Sequence, residues 1–107
     1  MKHATPLTAR SAETAMRKTT LKNLEDQAHR TLIAFLKAEV ALGLTFANIA
    51  KYEREQGNTE HYEKSKAGAV KAAETIDRFK ERLPDVARRE IETRALALTE
   101  AISSVDD

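Results

Sequence analysis

The longest apolar stretch of the chain runs from Leu32 to Ala50, and fourteen of its nineteen residues are apolar. At 100° per residue around a helix, these side chains form two separate stripes. The first stripe contains Phe35, Leu42, Phe46 and Ile49, and the second contains Ile33, Leu36, Val40 and Leu44. Together the stripes are wider than the roughly 100° apolar face of an ordinary surface helix. The pattern therefore predicts a central helix that needs cover on two sides.

The two stripes differ in length. The second is confined to the middle of the helix, whereas the first continues toward the N-terminus. The residues that continue it are Thr31, Ala28, Leu24 and Leu21. We therefore expect one neighbour along the whole helix and another that covers only its centre.

Glu39 lies between the two stripes, with Gly43 one turn later. A carboxylate inside an apolar arc must be paired, hydrogen-bonded, protonated or left in a solvated seam. One interpretation is a salt bridge or a solvated seam between helices. The other is an acid that binds a ligand or a partner, because strongly perturbed groups also mark functional sites.

The length of the apolar stretch raises the question of a membrane span. Nineteen residues at about 1.5 Å each nearly cross a bilayer. Lys37 and Glu39 lie near the middle of the stretch, and a charged residue there costs about 2.5–3.5 kcal/mol on insertion scales. We therefore predict a buried helix of a soluble bundle, with no membrane partner.

Two breaks divide the helical pattern. Gly57-Asn58-Thr59 ends the first helix, because Gly suits the left-handed residue after a helix and Asn or Thr suits the next N-cap. Pro84 ends the second, because it disfavours helical conformation in Leu83. Either Pro84 opens the third helix or Asp85 caps it. The connection at Gly57 is short, so the helices on either side of it should form an antiparallel hairpin.

The breaks predict a first helix from near Leu21 to near Gln56, a second over 60–82, and a third that ends near Val105. The second helix has a seven-residue apolar repeat, and the apolar stripe of the third helix has alternating spacings of four and three residues. Both patterns are typical of left-handed helix packing. The second-helix repeat is Tyr62, Ala69, Ile76 and Leu83, and the third-helix stripe is Ile91, Ala95, Leu98, Ile102 and Val105. Small residues in the middle of the first two helices favour their close approach.

The predicted fold is an all-α antiparallel bundle of three main helices. The bundle domain covers residues 21–105, and residues 1–20 form a basic, partly flexible N-terminal segment. A short N-terminal fourth helix that completes the bundle is the alternative for this segment. The acidic residues from Ser103 to Asp107 are expected to fray.

Composition narrows the class of protein. The chain has 107 residues, enough for one domain, and eighteen Lys and Arg against seventeen Asp and Glu give a net charge of +1, which favours no particular partner. Without Cys there is no disulfide or thiolate chemistry. Residues 1–20 lack the apolar core of a signal peptide. We therefore expect a cytoplasmic protein.

Catalytic, metal and nucleic-acid signals are weak. No Gly-rich phosphate loop or serine nucleophile motif is present, and we expect neither an enzyme nor a cofactor. His29 follows Glu25 and Asp26 at helical spacing, but a di-iron bundle needs a second Glu-x-x-His motif, and Asn58 before His61 does not supply one. Acidic residues interrupt every basic run, so we expect no nucleic-acid partner.

The hairpin over residues 46–73 resembles a single degenerate tetratricopeptide (TPR) unit. The resemblance rests on Phe46, Ile49, Ala50, Gly57 and Ala69, which match its large, aliphatic, small, turn and Ala positions. The sequence departs from the motif at Tyr62 and Lys66. It is also similar to small bacterial all-helical proteins with a GLTFA-x-I-A helix followed by a KA-x-x-x-x-A helix. The TPR resemblance implies a helical surface that binds a peptide or another protein.

Two narrow stripes on the second and third helices have to cover a first helix that is apolar over a much wider arc. An uncovered remainder would be an exposed apolar patch, and such patches mark interaction sites. The sequence therefore predicts a non-enzymatic protein–protein interaction module that forms a homodimer or binds another helical protein. The predicted interaction residues are Phe35, Glu39, Val40, Leu44 and Phe46. The alternative is a bundle that binds a small ligand through Glu39.

Overall fold

The computed structural model describes the backbone of residues 4–107 and the side chains of residues 11–107. Over this range the chain forms three α-helices and no strand: α1 (Ala4–Glu55), α2 (Thr59–Lys80) and α3 (Asp85–Val105). The predicted all-α fold with three main helices is confirmed. The chain divides into two compact units, Met1–Thr31 and Leu32–Asp107, and each is described by itself.

Helix α1 begins at Ala4 and not near Leu21. Residues 4–20 therefore belong to α1 and do not form a separate fourth helix. Pro6 is compatible with this start, because the amides of a first helical turn have no partner within the helix. Residues 1–3 of the predicted flexible segment lie outside the described residues, and its flexibility stays a prediction.

The turn between α1 and α2 follows from Gly57, the residue with positive φ (77°). The amide of Asn58 donates to the carbonyl of Glu53 at 2.9 Å, and the amide of Gly57 donates to that of Arg54 at 3.1 Å. These two bonds are the Schellman pattern, which satisfies the last carbonyls of a helix and requires a left-handed residue. The predicted break is confirmed.

The turn between α2 and α3 is built around Pro84. Pro84 occupies the N-cap position with φ −59° and ψ 155°, and Asp85 is the first residue of α3. The carbonyl of Pro84 accepts from the amide of Arg88 at 2.8 Å. Neither predicted alternative is correct, because Pro84 is the N-cap and not the first helical residue, and Asp85 begins the helix and does not cap it.

The direction of each helix in the Leu32–Asp107 unit follows from its contacts. Phe35 of α1 contacts Phe79 near the end of α2, and Phe46 of α1 lies against Gly68 nearer the start of α2. Helices α1 and α2 are therefore antiparallel. Likewise Lys66 pairs with Asp106, and Lys80 pairs with Glu92. Helix α3 is consequently antiparallel to α2 and parallel to α1.

Two clusters of buried side chains form the core of this unit. The larger cluster contains Leu36, Val40, Ala72, Ile76, Leu83, Ile91 and Leu98. The smaller contains Ala47, Ala50, Ala69 and Val105. All three helices contribute to both clusters. In the smaller cluster, α2 contributes one alanine and α3 one valine. Three of the four residues in the smaller cluster are alanine, which allows the helices to lie close together there.

Gly43 and Gly68 show how closely the helices approach. A methyl group added to Gly43 would lie 2.7 Å from Cδ2 of Leu98 and 3.0 Å from Cβ of Ala72. One added to Gly68 would lie 2.9 Å from the ring of Phe46. The predicted close approach of α1 and α2 is therefore present, and Gly43 also lies against Leu98 of α3.

The C-terminal end is anchored, contrary to the expected fraying. Val105 is 1% exposed, and its carbonyl accepts from Arg54 Nη1 at 2.9 Å. The carboxylate of Asp106 accepts from the Tyr62 hydroxyl and from the Lys66 ammonium. The expectation failed because the acidic residues were considered alone, without the cations and the phenol that α1 and α2 place beside them.

Candidate interaction surface

Helix α1 buries one side against α2 and α3. Between Leu32 and Ala50 its buried residues are Leu36, Val40, Gly43, Ala47 and Ala50. Their spacing of three and four residues places them on one helical face. Of the two stripes read from the sequence, the second therefore supplies the core side of α1.

The opposite side of α1 is exposed and carries no charge. All eight exposed residues between Leu32 and Ala50 are uncharged, and we call them the uncharged face: Ala34, Phe35, Ala38, Ala41, Leu42, Thr45, Asn48 and Ile49. Phe35 is 43% exposed, Leu42 46% and Ile49 40%. Tyr52, also exposed, follows one turn later. A helix surface in contact with water ordinarily carries charged and polar residues.

The uncharged face has few polar groups that need water. The hydroxyl of Thr45 donates to the carbonyl of Ala41 at 3.0 Å, within the same helix. Asn48 is the other polar side chain of the face. Burying this face against a partner would therefore leave few hydrogen-bonding groups unsatisfied.

Both other helices stop at the borders of the uncharged face. On one side the rings of Phe35 and Phe79 meet edge to face, with centroids 6.3 Å apart. On the other, Lys37 Nζ lies 3.1 Å from Glu90 Oε1 of α3. The hydrogen bond and charge of Lys37 hold the pKa of the Glu90 carboxyl below its usual value. Helices α2 and α3 thus leave the face between them open.

The predicted interaction residues do not form one surface. Phe35 belongs to the uncharged face, but Val40 is 6% exposed and lies in the larger core cluster, so its prediction as a surface residue is wrong. Leu44 is half-buried against the same cluster. Phe46 is half-buried against the smaller cluster and Gly68. The predicted set includes residues of both stripes, whereas the exposed large side chains Phe35, Leu42 and Ile49 all belong to the first.

Glu39 is half-buried, and no side chain in the described part of the chain pairs with it. Among the described residues none of the buried side chains is polar or charged. The carboxylate lies at the border of the uncharged face without the predicted salt bridge, and its interpretation as a solvated acid or as a ligand-binding acid stays a prediction.

The predicted interaction residues do not include Leu42 and Ile49, nor the small residues between them. The signal that could have found them is the seven-residue spacing from Phe35 to Leu42 and from Leu42 to Ile49. A seven-residue apolar repeat is typical of a helix that packs along another helix. The first stripe contained this repeat.

The part of the chain that the structure describes contains no cluster of metal-ligating side chains. There, no group of three or more His, Cys, Asp or Glu side chains is arranged to hold a metal ion. His29 is half-buried and His61 is exposed.

One described helical stretch, Ser11–Glu55, is long and apolar enough to cross a membrane by length and composition. Its most apolar window has a mean hydropathy of 1.6, and 22% of that window is buried. Core helices of soluble proteins and signal sequences meet the same criterion, so this finding is weak evidence for a membrane span.

The Met1–Thr31 unit also has exposed apolar side chains. Met16, Leu21 and Leu24 are all more than half exposed. Leu21 and Leu24 belong to the N-terminal continuation of the first stripe read from the sequence.

Comparisons of the chain with known proteins found no match. No protein-family model matches the chain, no curated protein matches it, and no solved structure matches it.

Proposed function

We propose that this protein is a non-enzymatic helical interaction module that self-associates through the uncharged face of α1. The observation that carries the proposal is the absence of charge from all eight exposed positions between Leu32 and Ala50. Removing apolar surface from water stabilises an association by about 25 cal/mol per Å². Large exposed apolar patches on a protein surface mark interaction sites.

A second copy of the same face is a suitable partner. Two uncharged surfaces meet without like-charge repulsion and without desolvating an ion. A self-complementary patch is what a two-fold symmetric dimer requires. The TPR-like resemblance of the hairpin, which implies protein binding, supports the same class of function.

The size of the face sets the expected strength. Residues 34–52 extend over about 28 Å at about 1.5 Å per residue, and a helix is about 10 Å wide. The strip is therefore roughly 300 Å², which is within the size range of functional patches but below the about 800 Å² per partner of a standard interface. We expect reversible, concentration-dependent association and not a permanent dimer.

Sedimentation velocity over about 10 μM to about 1 mM tests the proposal, because association this weak has a dissociation constant near that range. We expect the weight-average sedimentation coefficient of the wild type to rise toward that of a dimer. Leu42→Glu should remain monomeric throughout, because it would bury an unpaired carboxylate in the interface.

The matched control is Leu96→Glu. Leu96 is 61% exposed on α3 and lies outside the uncharged face, so the same substitution there should leave association unchanged. A wild type that is monomeric at about 1 mM, or equal behaviour of the two variants, contradicts the proposal. If the wild type is monomeric but floats with phosphatidylcholine vesicles, and Leu42→Glu does not, the face binds a membrane and self-association is wrong.

A further inference from the structure

The uncharged face consists of two parallel rows of different size. The large row is Phe35, Leu42 and Ile49, and the small row is Ala34, Ala38, Ala41, Thr45 and Asn48. All eight side chains are exposed. A ridge therefore runs beside a shallow trough along the length of the face.

Charged residues of opposite sign border the two rows. Around the helix axis, Glu39 and Glu53 lie within about 40° of Phe35, on the side of the large row. Lys37 lies within about 40° of Ala41, and Lys51 lies next to it beyond the small row. Glu39 and Glu53 are half-buried, and Lys51 is exposed. The face thus has an acidic edge beside its ridge, whereas the charge beside its trough is mixed, because Lys37 pairs with Glu90 of α3.

Symmetry limits how two copies can place these rows. In a parallel pair the two-fold axis runs along the helices, so the large row of each copy lies against the small row of the other. In an antiparallel pair the axis is perpendicular to the helices, and each row meets its own copy. Only the parallel pair places ridges in troughs, which is how helices pack.

The charges favour the same orientation. A parallel pair places the acidic edge of each copy beside the trough side of the other, where the charge is mixed. An antiparallel pair places the two acidic edges, with Glu39 and Glu53, together. Like charges at the edges of two paired helices disfavour the orientation that brings them together.

We propose that two copies pair through α1 in parallel and in register along residues 34–52. The proposal rests on the self-association proposed above and adds its geometry. Phe35, Leu42 and Ile49 alternate with Ala38, Thr45 and Tyr52 in a four–three spacing. This spacing gives a left-handed pair with the two helices inclined by about 20°. The small residues Ala38 and Thr45 in alternate layers let the helix backbones approach closely there.

Single cysteines test the orientation, because the chain has no Cys of its own. Ala38→Cys and Tyr52→Cys are separated by fourteen residues, or about 21 Å along the helix. A disulfide forms when two Cα atoms come within about 4.4–6.8 Å. In a parallel, in-register dimer each variant should crosslink to itself under mild oxidation. In an antiparallel dimer at most one of them can do so.

Leu96→Cys, an exposed position on α3, is the control for random collision. We expect the Ala38→Cys and Tyr52→Cys homodimers to form at least about tenfold faster than the control, since tenfold corresponds to a modest local preference of about 1.4 kcal/mol. The proposal is overturned if only one variant crosslinks, if neither exceeds the control, or if the two crosslink each other but not themselves.

Sedimentation of the reduced variants separates the two proposals. Dimers without the expected crosslinks contradict the parallel register and leave self-association in place. Monomers at every concentration, together with crosslinking no faster than the control, contradict both.

Discussion

The exposed sides of α1 and α2 belong to helices of the same bundle and have opposite character. Between Leu32 and Ala50, none of the eight exposed residues of α1 is charged. On α2, seven of the ten exposed residues are charged: Glu60, Glu63, Lys64, Lys71, Glu74, Asp77 and Arg78. Both helices bury their other side in the same core. The apolar character of the uncharged face is therefore not needed to form that core.

Some charges of α2 also have partners inside the chain. Lys64 pairs with Glu60 at 3.2 Å in the same helix. Lys80 pairs with Glu92 of α3, and Lys66 pairs with Asp106, the residue after α3. Exposed ion pairs of this kind contribute little to stability, but they keep a surface hydrated and unsuited to close association. The comparison indicates that α2 presents a solvent surface, whereas α1 presents a surface suited to a partner.

The largest expected effect separates the two sides of α1. Leu36→Ala should lower the free energy of unfolding by about 2–5 kcal/mol, because Leu36 is fully buried and the substitution leaves a cavity. Leu42→Ala, on the uncharged face, should change the stability of the monomer by about 0.5 kcal/mol or less. Urea denaturation at low protein concentration measures both, and equal losses would show that the uncharged face belongs to the core.

A smaller effect tests why the buried side of α1 needs a glycine. Gly43→Ala should lower the free energy of unfolding by up to about 2 kcal/mol. The clash with Leu98 and Ala72 costs about 1–3 kcal/mol, and the higher helix propensity of Ala returns about 1 kcal/mol. In a Leu98→Ala background most of the clash is absent, so the same substitution should cost less or become stabilising. Additive losses in this double-mutant cycle would contradict the close contact.

The smallest effect concerns the charged surface of α2 and its contact with the C-terminus. Hydrogen bonds from Lys66 and Tyr62 lower the pKa of the Asp106 carboxyl, and the hydrogen bond to Asp106 raises the pKa of Lys66. Asp106 therefore contributes stability above its ordinary pKa of 3.8, and the contribution is lost as the pH falls through the lower folded value. The stability that Lys66 contributes is present below pH 10.5, its ordinary pKa, and is lost as the pH rises through the higher folded pKa.

We therefore expect Asp106→Asn to lower the urea midpoint slightly at pH 7, with a difference from wild type that shrinks below pH 3.8. Asp107→Asn, at the exposed neighbouring residue, is the matched control and should leave the midpoint unchanged at both pH values. A difference for Asp106→Asn that stays constant over this pH range would show that the ion pair with Lys66 does not contribute.

Several features of this protein were determined by the sequence itself. The Gly57 and Pro84 breaks are local, because each depends on the conformations open to one or two residues, and the structure has both turns where they were predicted. The apolar spacing determined that the chain is helical and which residues share a helix face. It also indicated that the apolar stripes of α2 and α3 are too narrow to cover the whole apolar arc of α1.

Only the tertiary structure decided which stripe of α1 is buried. The stripes of Phe35 and Leu36 have similar spacing and apolar character, so the sequence could not rank them. The choice depends on where Gly43, beside the second stripe, meets Leu98 and Ala72, which are residues far from it in the chain. The burial of Val40 and the anchoring of Val105 were missed for the same reason, since spacing identifies a face but not the neighbour that covers it.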